Sequence, residues 1–336
     1  MRVQTFSRVQ ILQQFSSRCQ ELAANDNRGF KQEFEELSDV GKDLPTRVGD
    51  SEANRDKNRY PYILPYDHCR VRLSVQNSLP HSDYINANFV PGGGSERDFI
   101  CTQGPLQNTL VDFWRMVWEQ NVRVIVMVTA LRHKDTRDCL TSRMITQYYY
   151  PSWPDRGVPK QPSSLCTYTE HVRQDLEASP RLGPAVVHCS AGVGRSGTFV
   201  TLLWLMQLCV RGIRPNIRAA VEDLRLHRMW MVQNLDQYIF VHQCLLHWLF
   251  WRTAACNQPV PRTSTNNHVQ FEASSSRTEG GGSGRRRRRS RTRHQHGQTP
   301  PSDQPQSRVQ QILNPGNLLR RLLPSSSLFN SDSHPS

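Results

Sequence analysis

The 336-residue chain has no apolar run of membrane-spanning length. Its longest candidate, "FVTLLWLMQLCV" (Phe199–Val210), is about half of what a bilayer needs. The N-terminus, "MRVQTFSRVQILQQF", lacks the apolar core of a secretory signal. The expectation is a soluble, cytoplasmic chain, or one at the cytoplasmic face of the plasma membrane if it is part of a receptor, with the nucleus as an alternative. Cysteines are few and odd in number, nine, with no CxxC pair and no regular spacing. That argues against a disulfide framework or a zinc ribbon and for small buried hydrophobes. The histidines are scattered without ligand spacing, so no metal and no other cofactor is expected. Internal repeats are absent. Acids are scarce in one place: from Thr253 onward 12 Arg and no Lys face 4 Asp and Glu, which puts +8 of the net +13 in the tail and leaves +5 for the rest. The basic balance belongs largely to that tail and does not by itself argue for specific nucleic-acid binding.

What is present divides along the chain. Residues 1–55 are polar with helical spacing, as in Phe30, Phe34 and Leu37. Short β-rich runs follow at Arg70–Val75, Asp83–Val90 and Asp98–Gln103. An amphipathic helix is predicted at Leu110–Asn121, with Phe113/Val117 and Trp114/Trp118 paired at i, i+4, and then a buried strand at Arg123–Thr129. Further on come a helix at Ser163–Ala178, a strand at Pro184–Cys189, and a helix at Ser196–Val210 apolar on most sides. Two last helices are predicted at Ile217–Arg228 and Leu235–Phe250. Strands mixed with helices predict an α/β domain, a central twisted mixed sheet flanked by helices. The expected division is a helical lead-in over 1–29, one domain over 30–252, and a disordered basic tail over 253–336. The tail is rich in Ser, Pro, Gln, Gly and Arg and too poor in apolar residues to fold alone. Its seven arginines between Arg285 and Arg293 read as a solvated run, an import-receptor signal or an anionic-surface patch.

The chemistry concentrates in "VVHCSAGVGRSGTF" (Val186–Phe199), a strand, a Cys-x5-Arg loop and a helix. Residues Ser190, Ala191, Gly192, Val193 and Gly194 are small enough for successive backbone N–H groups to turn inward as an anion cup. The following helix points its positive end at the same place. Arg195 adds a planar fork suited to phosphate. A cysteine at the base of such a cup is favoured as thiolate, and a thiolate facing phosphate is a nucleophile. The nucleotide P-loop pattern GxxxxGK[ST] does not fit, because no Lys follows Gly194. A lone Cys-x5-Arg would read as a glycine-rich turn with a buried cysteine; the full string HCSAGVGRSG is far more specific.

That string resembles the signature of the classical protein-tyrosine phosphatases. Other segments resemble the family's motifs and follow its order: "KNRYPYILPYDHCRVRL" (Lys57–Leu73), "DYINANFV", "TQGPL" (Thr102–Leu106), "DFWRMVWE", "WPDRGVP" (Trp153–Pro159) and "MVQNLDQYIF" (Met231–Phe240). The resemblance covers roughly Phe30 to Trp251 and is greatest to the cytoplasmic domain of receptor-type members, in the osteotesticular or vascular-endothelial group. It implies the phosphotyrosine-phosphatase fold, phosphotyrosine proteins as substrates and hydrolysis through a phosphocysteine. By the same resemblance Cys189 attacks phosphorus, helped by His188; Arg195 and the backbone of 190–195 hold the equatorial oxygens; and Ser196 assists departure of the thiolate. Asp155 serves as general acid and then base, on a loop hinged by Trp153, Pro154 and Gly157. Gln233 and Gln237 position the water, and Tyr60 lines a slot whose depth selects phosphotyrosine. Alone, Asp155 reads as a turn residue, Tyr60 as a half-buried strand aromatic, and Gln233 and Gln237 as the face of one helix start.

Three departures from the family pattern stand out. Arg156 follows the acid where receptor members usually have His. Tyr62 stands where the family prefers Asp or Asn to bind peptide backbone. Only 23 residues separate Thr129 from Trp153, where members carry dozens more, including strands and a Glu/Lys loop that braces the acid loop. Strands are therefore expected to be missing between 129 and 153, with "RMITQYYY" as a surviving strand; Lys134 and Asp135 do not fit the spacing of the bracing pair. Lost strands expose sheet edges and apolar helix faces. The alternative this raises is a catalytically impaired phosphotyrosine-binding pseudophosphatase, or a non-functional splice or gene-model product.

Overall fold

The computed structural model describes residues 4–129, 144–154, 157–178 and 183–256. Asp155, Arg156, Lys134, Asp135 and the arginines from Arg285 to Arg293 lie outside the described residues.

The strands are β1 (Arg70–Arg72), β2 (Tyr84–Val90), β3 (Phe99–Thr102), β4 (Val124–Met127), β5 (Thr146–Tyr149) and β6 (Ala185–His188). They form one six-stranded sheet in the order β1-β2-β3-β6-β4-β5. The first three run antiparallel, and β3–β6, β6–β4 and β4–β5 pair in parallel. This is the mixed sheet the patterning predicts, and β5 is the strand expected from "RMITQYYY".

Helices cover both faces, which is why β2, β3, β4 and β6 are buried at every position. Helix α1 (Arg8–Glu36) is broken at Ala24–Asn27, where Asn25, Asp26 and Asn27 all take left-handed φ values. Asn and Asp tolerate that conformation best among residues other than glycine. A short turn of helix, α2 (Arg47–Asp50), is followed by α3 (Leu110–Glu119), α4 (Pro162–Ala178), α5 (Gly194–Val210), α6 (Ile217–His227) and α7 (Leu235–Cys256).

Side-chain alternation along β2 separates the two faces. Ile85, Ala87 and Phe89 join Phe113, Met116 and Val117 of α3 in one apolar cluster with Ile100, Ile125 and Val186. Asn86 and Asn88 point to the opposite side, where α6 meets β2. There α5 is surrounded by α4, α6 and α7, consistent with a helix buried along nearly its whole length.

β5 is an edge strand with mostly exposed residues. On α3, Phe113 and Val117 are buried while Trp114 and Trp118 stay 53 % and 51 % exposed. The two i, i+4 pairs of that helix thus face opposite environments, one the core and one open.

Candidate active site

Cys189 follows the last residue of β6 and is buried. The loop after it runs directly into α5, whose first helical residue is Gly194, two positions earlier than the patterning predicts. Its N-cap residue is Val193, whose side chain offers no capping bond, so the helix's first N–H groups are left without that partner.

The carbonyls decide which way the loop's peptides face. The Ser190 carbonyl accepts from Gly104 N–H at 2.9 Å, and the Val193 carbonyl from Gly197 N–H at 2.8 Å and Val232 N–H at 3.3 Å. The carbonyls of Ala191 and Gly192 accept from the guanidinium of Arg228 at 3.0 and 2.9 Å. All four are engaged away from the centre, and in a planar trans peptide the N–H then points the other way. Gly192 N–H accordingly donates to Cys189 Sγ at 3.2 Å. Glycine is needed at 192: its φ is +74°, and a Cβ there would run into the Thr102 carbonyl.

Tyr60 is 40 % exposed, and its hydroxyl lies 2.8 Å from Ser190 Oγ. Its position is set by the preceding residue. The backbone N–H of Arg59 donates to Gln103 Oε1 at 2.8 Å, and its guanidinium donates to the carbonyls of Gly104 and Pro105 at 3.0 Å each. The loop bearing Tyr60 is thereby tied to the segment that follows β3.

Gln233 and Gln237 meet on the other side of the cup. Gln237 Oε1 accepts from Gln233 N–H at 2.9 Å, and both side chains border the space above Gly194. The loop leading to them is strained: Trp230 and Val232 have φ of 60° and 57°, rare for bulky or β-branched residues. Arg225 holds it there, donating to the carbonyls of Met231 at 3.0 Å and Val232 at 2.8 Å, and reaching the Leu37 carbonyl.

Arg195 donates to Thr129 Oγ1 at 3.3 Å and to the Pro154 carbonyl at 3.2 Å. The loop containing Pro154 is anchored by Trp153, which is buried, packs edge-on against Tyr150 and Phe240, and donates its indole N–H to the Gly157 carbonyl at 3.2 Å. Gly157 takes a φ of +81°. Ser196 is fully buried, and its hydroxyl has no partner among the described residues. Tyr62 is 87 % exposed.

His188 is buried and packs edge-on against Phe113 at 5.9 Å. Burial drives it down to about 4, so its ring is neutral at pH 7. It can offer Cys189 hydrogen bonding but not positive charge.

The structure brings Cys189, Ser190, Ala191, Gly192, Val193, Gly194, Arg195, Ser196, Tyr60, Gln233 and Gln237 to one place. It also reveals framing residues that sequence reading passed over: Arg59, Gln103, Arg225 and Arg228. Arg225 and Arg228 did carry a signal, cations set among apolar residues in "LRLHRMWMV"; Arg59 and Gln103 carried none of their own.

A protein-tyrosine phosphatase family model matches residues 54–141 and 132–247, two segments that overlap at the shortened passage. Receptor-type tyrosine-protein phosphatase V of Rattus norvegicus is 42 % identical over 266 residues, covering 67 % of this chain and 16 % of the relative. Receptor-type tyrosine-protein phosphatase eta of Homo sapiens is 39 % identical over 277 residues, covering 70 % of this chain and 20 % of the relative. Receptor-type tyrosine-protein phosphatase alpha of Homo sapiens is 34 % identical over 293 residues, covering 74 % and 36 %. In each case the alignment is longer than the part of this chain that it uses, so each relative carries residues that this chain lacks. The chain spans less than two fifths of the length of these relatives. With the cup built around Cys189 and the family match over both its segments, the chain belongs to the protein-tyrosine phosphatase family, with receptor-type members among its relatives.

Proposed function

We propose that this chain hydrolyses phosphotyrosine in proteins through a phosphocysteine intermediate. The observation that carries the reading is the set of outward carbonyls from Ser190 to Val193, which leaves the loop's N–H groups facing Cys189. Such a ring of fixed donors suits the charge that develops on phosphoryl oxygens in the transition state.

In this mechanism Cys189 Sγ attacks phosphorus and the S–P bond forms as the bond to the tyrosine oxygen breaks. The N–H groups of 190–195 and the fork of Arg195 bind the equatorial oxygens. Asp155 donates its proton to the departing tyrosinate, then accepts one from the water that attacks the phosphocysteine. Gln233 and Gln237 hold that water, and Ser196 donates to the thiolate as it departs. His188, neutral, orients the start of the loop. Tyr60 forms a wall of the slot beside Ser190, whose depth admits phosphotyrosine and leaves the shorter phosphoserine out of reach of Cys189. Metal ions and other cofactors take no part.

The proposed catalytic domain is 30–252, with 1–29 as lead-in and 253–336 as tail. Its proposed place is the cytoplasm or the cytoplasmic face of the membrane, where phosphotyrosine proteins are met. The arginines of 285–293 are proposed to touch an anionic surface or an import receptor.

Phosphate release from a phosphotyrosine peptide tests the reading, with Cys189→Ser and Asp155→Ala measured beside the wild type and a thermal melt on each. Turnover that vanishes in Cys189→Ser is expected. A cooperatively melting wild type without Cys189-dependent turnover would overturn the proposal.

A further inference from the structure

Arg228 is fully buried and makes no ion pair with a carboxylate among the described residues. A buried guanidinium without a counter-ion is costly, and an apolar residue of similar volume would pack more cheaply. Burial pulls its pKa below the usual arginine range. The charge is nonetheless placed directly behind the cup.

Its partners are specific. Nε donates to the Gly192 carbonyl at 2.9 Å and one terminal nitrogen to the Ala191 carbonyl at 3.0 Å. Two further N–H groups donate to Asn88 Oδ1 and Asn86 Oδ1, each at 2.8 Å. Both asparagines are held with their oxygens toward Arg228, because their amide N–H groups are committed elsewhere. Asn86 donates to Asn58 Oδ1 and the Ile63 carbonyl, and Asn88 to the Tyr66 carbonyl. The plane of the guanidinium is therefore fixed from β2.

The Ala191 carbonyl that Arg228 holds shares a peptide with Gly192 N–H, the donor to Cys189 Sγ. The Gly192 carbonyl shares one with Val193 N–H. We infer that Arg228 is a positioning residue of the anion cup, whose rigid fork sets two successive peptide planes so that Gly192 and Val193 present their N–H groups to a phosphoryl oxygen. A cation on an amide oxygen also draws electron density from the amide and strengthens its N–H as a donor. A lysine could supply the charge but not the two-carbonyl fork.

This inference rests on the proposed phosphate-binding role of the cup, and its test separates the two. Tungstate, a tetrahedral oxyanion, is titrated into the wild type, Arg228→Met, Arg228→Lys and, as a control for lost stability, Arg70→Met. Arg70 is also buried but pairs with Asp83 away from the cup. Melts fix a temperature at which every compared protein is folded. Arg228→Met and Arg228→Lys are expected to bind at least about tenfold more weakly, with Arg70→Met unchanged. In wild-type protein the amide resonances of Gly192 and Val193 should shift on binding, and in the Arg228 variants those shifts should collapse. Folded Arg228 variants with wild-type affinity overturn the inference. A folded wild type that does not bind tungstate overturns the reading of the cup instead. If neither Arg228 variant folds, Asn88→Ala, which removes one anchor of the fork, is read in their place: weakened binding supports the inference and unchanged binding overturns it.

Discussion

The guanidinium of Arg195 donates to the carbonyl oxygen of Pro154 at 3.2 Å, joining the cup to the loop that carries the proposed acid. One guanidinium thus reaches both Thr129, just after β4, and the residue next to Asp155. Arg195→Lys keeps the charge but loses the paired geometry. The expected outcome is a fall in kcat of about 10²–10³, with a melt close to wild type because Arg195 is only half-buried. Steady-state kinetics on a phosphotyrosine peptide checks this.

Gly192→Ala should damage fold and site together. The left-handed φ alone costs roughly 1–2 kcal/mol for a residue with a Cβ, and the Thr102 carbonyl occupies the space that the Cβ would need. The peptide that bonds Cys189 Sγ has to shift. A lower melting temperature and loss of tungstate binding are expected from calorimetry.

Stability should decline on mild acidification. His188 and His242 are buried, and burial lowers each to about 4. Between that value and the ordinary histidine range near 6.5 the unfolded chain binds protons that the folded chain refuses. Stability therefore rises with pH through this window and falls as pH drops from about 6.5 toward 4. Melting temperatures measured from pH 7.5 to 4.5 should show that slope, and His242→Phe should make it shallower.

Glu170 joins α4 to α7, with no bond to the Cys189 loop among the described residues. Its carboxylate accepts from Arg173 at 2.8 and 3.0 Å, from Arg252 at 2.8 Å and from the Trp248 indole at 3.1 Å. Glu170→Gln leaves the buried Arg173 with only the exposed Glu177 as charge partner, at an expected cost of up to about 3 kcal/mol. Urea denaturation should show the loss, while kcat per folded molecule stays at the wild-type value.

The cup was legible in the sequence because it is local. Cys189 through Ser196 are contiguous, and the helix that orients them follows at once. β5 could be read because "RMITQYYY" leads directly into Trp153 and is rich in β-prone Ile, Thr and Tyr. The frame behind the cup could not, since its bonds cross the fold: Arg228 and Asn88 are 140 positions apart, and Arg59 and Gln103 are 44. The break in α1 was passed over although "NDNRG" (Asn25–Gly29) interrupts the apolar spacing with residues that favour turns. The neutrality of His188 follows from burial against α3, a tertiary contact that no neighbouring residue announces.

The central claim is that Cys189 attacks the phosphorus it faces. Rapid acid quench during turnover of a phosphotyrosine peptide, followed by mass spectrometry of the fragment containing Cys189, tests it most directly. The account predicts one phosphoryl group on Cys189, accumulating further when Gln237→Ala slows hydrolysis of the intermediate. Turnover with Cys189 unmodified at every time point, or with the phosphoryl group on another residue, would contradict it.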